Sequence, residues 1–328
     1  MGKIENLSMA IWRSDRTQAF FDGRVTLPGR ALTVRDDPLE DIFARAFSTA
    51  DYCVSELSLS NYLRLRVDGN CAYRGVPIFP SRSFRHGAFY VRKDGPVREP
   101  KDLVGRRVGV REYSMTAALA ARGALRDQFG IESEQMNWVV GDVDHRERDH
   151  IPLPKLFRPI PIETAPDGEM LDDMLLDGRL DAILAYKPIE SSLVSDPVTV
   201  RLFANSELVE KAYFKQTGIF PIMHLVGVRV ADAAADPALV PELYAAFDQA
   251  QRLANADLAY EQALKIGLPW LRQELQRTVA LMGSDYWPSG FAANRKVIET
   301  MIGWSFADGM ISRRIDPEEL FFDSMHST

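Results

Sequence analysis

Apolar and polar positions along the chain change period in short blocks, so that strand-like and helix-like stretches take turns. An apolar strand at 7–12 precedes Asp37-Pro38, an N-cap and first-turn pair that opens a helix with Ile42, Phe43, Ala46 and Phe47 on one face. A strand at 52–57, a short helix capped by Ser60, and strands at 76–79 and 87–91 follow. The polar segment 93–100, with two prolines and an Asp-Gly turn, reads as an exposed connection. Beyond it the pattern predicts a strand at 107–110, a helix at 116–129, a strand at 136–140, a helix at 168–176 and a strand at 180–184. A helix at 205–216 leads into a long apolar strand at 220–228, and the last hundred residues read as helices at 241–259, 270–282 and 294–307. The segment 141–155, dense in both signs of charge, reads as a solvated excursion.

This order predicts an α/β fold of two lobes. The first is discontinuous, 1–95 with 222–328 and its helical C-terminal region, and the second spans 96–221, with a substrate cleft expected where they meet. At 328 residues the chain is long enough for two cores. The formal charge of -7 opposes binding to a phosphate backbone, so nucleic acid is not an expected partner. No stretch reaches about 18 consecutive apolar residues, and the N-terminal 20 residues show no secretory h-region, so the expectation is a cytoplasmic protein with no membrane partner. Cys53 and Cys71 read as free thiols. The five histidines are scattered and no compact metal motif occurs, so neither a tightly held metal nor another cofactor is expected.

Two segments narrow the fold. KDLVGRRVGV at 101–110 and LLDGRLDAIL at 175–184 resemble the start and a later strand of the second lobe in type II periplasmic-binding-protein-like folds. Three more, SELSLSNY at 55–62, IFPSRSFRH at 78–86 and YFKQTGIFPIMH at 213–224, lie in the same order as Trp12 and Asp15-Arg16-Thr17 before them and Leu320-Phe321 after. Together, over roughly 7–321, they resemble the 4,5-dihydroxyphthalate decarboxylase family. The resemblance implies a cofactor-independent carboxy-lyase acting on a small aromatic dicarboxylate, with protocatechuate and carbon dioxide as products. A cytoplasmic carboxylate-binding protein or sensor on the same fold stays open as the alternative.

Such a substrate asks for cations and a proton donor. Arg82 and Arg85, with Ser81, sit in one short loop between apolar strands, and Arg111 follows the first strand of the second lobe. A guanidinium pairs bidentately with a carboxylate, although an isolated arginine is more often a surface charge. Tyr113, Ser114, Met115 and Thr116 precede an Ala-rich helix whose first N–H groups can receive an anion. His86 and His224 are the expected acids, His86 ahead because it closes the Arg-Ser-Phe-Arg-His loop. Trp12, Ser58, Tyr62 and Tyr186 are candidate substrate contacts, and Glu56 and Asp15 candidate bases for a hydroxyl. Trp270, Leu271, Leu275, Trp287 and Trp304 either pack on the first lobe or face a second copy, which keeps a homo-oligomer open.

Overall fold

The computed structural model describes residues 2–145 and 153–328, so part of the charged excursion, 146–152, lies outside the described residues. In chain order the strands are β1 (Asn6–Ala10), β2 (Ala31–Arg35), β3 (Val54–Ser58), β4 (Tyr73–Arg82), β5 (Phe89–Arg92), β6 (Arg107–Val110), β7 (Asn137–Val140), β8 (Ile162–Thr164), β9 (Ala182–Leu184), β10 (Thr199–Arg201) and β11 (Ile222–Arg229). The helices are α1 (Gln18–Phe21), α2 (Leu39–Ser48), α3 (Leu59–Val67), α4 (Thr116–Phe129), α5 (Leu171–Leu176), α6 (Ser206–Thr217), α7 (Val230–Ala235), α8 (Leu239–Leu258), α9 (Leu271–Met282) and α10 (Arg295–Ala307). No helix among the described residues is long and apolar enough to cross a membrane.

The chain divides into two compact units. The first comprises the N-terminal residues through Arg82 with His224–Ile298 and Asp316–Thr328; the second comprises Ser83–Met223 with Glu299–Ile315. The first passage lies at Ser83, upstream of the expected 93–100 segment, because β5 pairs antiparallel with β9 and β10 and so belongs to the second sheet. The C-terminal region is likewise divided, since α10 carries the chain into the second unit before it returns at Asp316.

The first unit holds a five-stranded sheet in the order β2-β1-β3-β11-β4. β1 runs parallel to β2 on one side and to β3 on the other, and β11 runs antiparallel to β3. Its core gathers Leu7, Met9 and Ile11 of the first strand segment against Leu239, Leu243 and Phe247 of α8. β3 is buried along its whole length, as a strand covered on both faces must be.

The second unit holds a six-stranded sheet in the order β10-β5-β9-β6-β7-β8. β6 is central, parallel to β7 on one side and β9 on the other. α4 starts at Thr116 and ends where Gly130 takes the left-handed conformation at φ 66°, a backbone state that glycine adopts without a Cβ clash. Gly123 in mid-helix is there for close packing: a Cβ at that position would lie 2.2 Å from the Trp304 ring. Trp304 is therefore core, and its indole N–H donates to Asp127 Oδ1 at 3.2 Å.

Candidate functional site

In each sheet one strand has its successors on opposite sides, and the carboxyl ends flanking that strand are where open α/β sheets bind ligands. In the first unit the strand is β1, flanked by β2 and β3; in the second it is β6, flanked by β7 and β9. Candidate residues fall at both places.

In the first unit the central group is Glu56, a carboxylate 1% exposed within β3. Burying it without partners would cost several kcal/mol, and both its oxygens are engaged. Oε1 lies 2.6 Å from His224 Nδ1, and Oε2 accepts the backbone N–H of Trp12 at 2.9 Å. The register explains the pairing: Val226 stands opposite Glu56 and His224 opposite Ser58, so Glu56 and His224 are diagonal neighbours on one face of an antiparallel pair. The Phe43 ring meets the imidazole edge-on at 4.9 Å between centroids. The contact through Nδ1 sets the ring orientation and leaves Nε2 as the ring's other nitrogen.

Trp12, 47% exposed, stands just beyond the end of β1, while Ser58 is buried at the N-cap of α3. Ser60, expected as that cap, is instead inside the first turn and buried. Ser81 is half-buried near the end of β4. Two expected ligand contacts have other occupations. The Tyr62 hydroxyl accepts Gly75 N–H at 2.9 Å and donates to Leu320 O at 2.5 Å, a buried brace whose phenol burial pushes well above its ordinary value. Arg82 is buried, donates to Asn294 Oδ1 and to Pro288 O at 3.1 Å, and lies over the Phe79 ring. Burial pushes its guanidinium down to about 9, with Asp285 opposing. These contacts tie Arg82 to the C-terminal part of its own unit. Asp15 is engaged by Arg16 at 2.5 Å.

In the second unit a shallow recess lies at the ends of β6 and β9 and the start of α4, lined among others by Arg111, Met115, Tyr186 and Lys187. Arg111 is paired to Asp142 at 2.6 Å. That pair follows from parallel register: Val110 stands beside Val140, which sets the residues just past the two strand ends close together. Neither Asp142 nor Lys187 was expected; the parallel pairing of the predicted strands was the signal for the former. Ser114 Oγ donates to the Glu112 carboxylate, Thr116 begins the 14-residue α4, and Met115 at the N-cap makes no side-chain cap, so the helix N-terminus is presented by backbone.

Tyr113, within this loop, is fully buried, its phenol raised by burial, and so presents no surface to a substrate. Arg85 donates from Nη1 toward Tyr186 O at 3.5 Å; burial lowers its pKa, with Glu210 opposing. His86, the acid favoured from sequence, is buried in this unit, with Nε2 2.8 Å from Gln128 Oε1 and the Phe203 and Tyr213 rings against it. Burial pushes its pKa below the ordinary 6.5, with Gln128 opposing. Its Nδ1 has no hydrogen-bond partner among the described residues and stands 4.0 Å from Glu210 Oε1, and burial disfavours the charged ring. Among the described residues, no group of three or more His, Cys, Asp and Glu is set to hold a metal ion.

The comparisons with known proteins bear first on the class. The periplasmic aliphatic sulphonate-binding protein of Escherichia coli superposes with a TM-score of 0.55 at 12% identity, over 99% of this chain and 100% of that one. The alkanesulfonate-binding protein of Xanthomonas axonopodis pv. citri gives 0.55 at 14% identity, over 98% and 99%. The fold is thus the two-lobed α/β fold of periplasmic solute-binding proteins. No family model matches the chain. Sequence relatives narrow the class further: the 4,5-dihydroxyphthalate decarboxylase of Comamonas testosteroni is 35% identical over 322 residues, 98% of this chain and 97% of the relative. That of Pseudomonas putida is 39% identical over 185 residues, 56% of this chain and 71% of the relative. The chain belongs to the 4,5-dihydroxyphthalate decarboxylase family.

Proposed function

We propose that the protein removes one carboxyl group from a hydroxylated aromatic dicarboxylate, converting 4,5-dihydroxyphthalate to protocatechuate and carbon dioxide. Within the family just named, the observation that carries the reading is the Glu56–His224 pair: an acid-base imidazole oriented by a buried carboxylate. The hydroxyl para to the leaving group feeds electron density to the ring carbon, and His224 Nε2–H delivers a proton to that carbon. The bond to the carboxylate then breaks, its electron pair restores the aromatic ring, and carbon dioxide departs. His224 is left neutral and regains its proton from water, while Glu56 compensates the imidazolium charge and fixes the ring. His224 is preferred to His86 as the acid because His86 is buried against Gln128 and aromatic rings.

The recess beside Arg111 and the α4 N-terminus is proposed to hold a carboxylate of the substrate, by charge and by backbone N–H groups together. Purified protein incubated with 4,5-dihydroxyphthalate is expected to release carbon dioxide and accumulate protocatechuate. In the same assay Arg111→Met should raise KM roughly tenfold to a hundredfold, the loss of a charged hydrogen bond worth about 1.5–3 kcal/mol, with kcat much less changed. Binding without turnover by the unaltered protein would instead mark a carboxylate-binding protein.

We also propose that the protein self-associates through the α8–α9 region. α9 has no buried residue, and Trp270 at 69% exposure follows the exposed Leu264 and Leu268 in sequence. Large exposed apolar groups on one surface mark association sites. Sedimentation at micromolar concentration is expected to give a species heavier than the 36.9 kDa chain, and Trp270→Glu should lighten it. A clean monomer would end the proposal.

A further inference from the structure

Arg122 is a fully buried arginine on α4 with only one of its three guanidinium nitrogens hydrogen-bonded. Its Nε donates to Asp308 at 2.6 Å, while Nη1 and Nη2 have no hydrogen-bond partner among the described residues. What faces the guanidinium is the Tyr113 ring, with the Arg122 carbon 3.8 Å from its centroid. Trp138 closes another side, 5.6 Å from the Tyr113 ring in an edge contact and 5.5 Å from the Arg122 carbon. Tyr113 is the middle residue of the loop 111–115 that joins β6 to α4, and Arg111 and Met115 at the loop's two ends line the recess.

We infer that Arg122 and Tyr113 are positioning residues, and that their stacking sets the course of the 111–115 loop and hence the shape of the anion seat. The inference rests on reading the recess as that seat. Asp308 anchors the guanidinium by one edge, which leaves its face as the platform for the ring. A desolvated guanidinium on an aromatic face is attracted far more strongly than an exposed one. The Tyr113 hydroxyl lies 3.5 Å from Asp308 O, at the limit of a hydrogen bond, and also interacts with the Ser133 side chain. The stacked ring is the part assigned the positioning role, and the Phe variant separates it from the hydroxyl.

The test has two readouts, steady-state kinetics on 4,5-dihydroxyphthalate and backbone hydrogen exchange across residues 107–129. Tyr113→Leu is expected to raise KM by roughly tenfold while kcat stays within about twofold. It should also speed exchange in 111–116 while the rest of α4 keeps its protection. Tyr113→Phe keeps the ring and should restore both. Should Tyr113→Leu fail to fold, Arg122→Lys retains ring and charge but loses the plane, and should give the same KM rise and the same local exchange. Unchanged KM in a folded variant, or a Phe variant as impaired as the Leu one, overturns the inference. If the unaltered protein does not turn the substrate over, the functional reading has failed separately. Exchange then decides: protection unchanged in 111–116 overturns the positioning role, and a Leu-specific loss restored by Phe sustains it.

Discussion

Replacing His224 with Asn is expected to lower kcat on 4,5-dihydroxyphthalate by about 10²–10⁴-fold, the usual worth of a general acid, with KM little altered. Asn keeps a polar group near Glu56 Oε1, so the buried carboxylate retains a donor and the fold should survive; what disappears is the transferable proton. His86→Asn is the control. It removes an imidazole buried among Phe203, Tyr213 and Gln128 and should act mainly on stability. Turnover and thermal midpoint measured on both variants separate the two roles. A His224→Asn protein with wild-type kcat would refute the proposed acid, and a large kcat loss confined to His86→Asn would return the role to the histidine favoured by sequence.

The preference proposed for His224 over His86 rests on packing, which is where sequence reading stops. Ser-Arg-Ser-Phe-Arg-His is contiguous and unusual, so it draws attention, but contiguity says nothing about which side chains turn inward. The Glu56–His224 pair joins residues 168 positions apart and exists only because β3 and β11 adopt one particular antiparallel register. Strong local patterns were legible: β6 and α4 begin and end where apolar periodicity and a terminal glycine place them. β2 was not, although ALTVR alternates and turns Leu32 and Val34 toward the core, because five residues at a sheet edge give too short a pattern to stand out. β8 and β10 escaped for a related reason, being three-residue edges of the second sheet. The anion seat was half visible, with the helix start plain in the residues before α4. Tyr113 changed role because burial of an aromatic is a tertiary outcome that its neighbours in sequence do not reveal.

The second large effect concerns stability. Asp308, fully buried in the second unit, receives Arg122 Nε at 2.6 Å, Arg126 Nη2 at 2.8 Å and Ser133 Oγ at 2.6 Å. Asp308→Ala would leave Arg122 inside the protein with no anion beside it, and breaking a buried pair from one side typically costs about 3–5 kcal/mol. Urea unfolding of the whole protein should show that loss in the transition that includes the second unit, whereas removing an exposed partner, as in Glu207→Ala beside Lys211, should cost under about 1 kcal/mol. The pH dependence has a definite sign. Burial alone would push the Asp308 carboxyl up, but Arg122 and Arg126 outweigh it and hold the carboxyl below its ordinary 3.8. A depressed carboxylate adds stability that is fully present above the unfolded value and is lost as pH falls through the folded one. The native protein should therefore lose stability below about pH 4, and Asp308→Asn, already weakened at neutral pH, should lose less over the same interval. Parallel acid limbs for the two proteins would show that Asp308 is not ionised in the folded state.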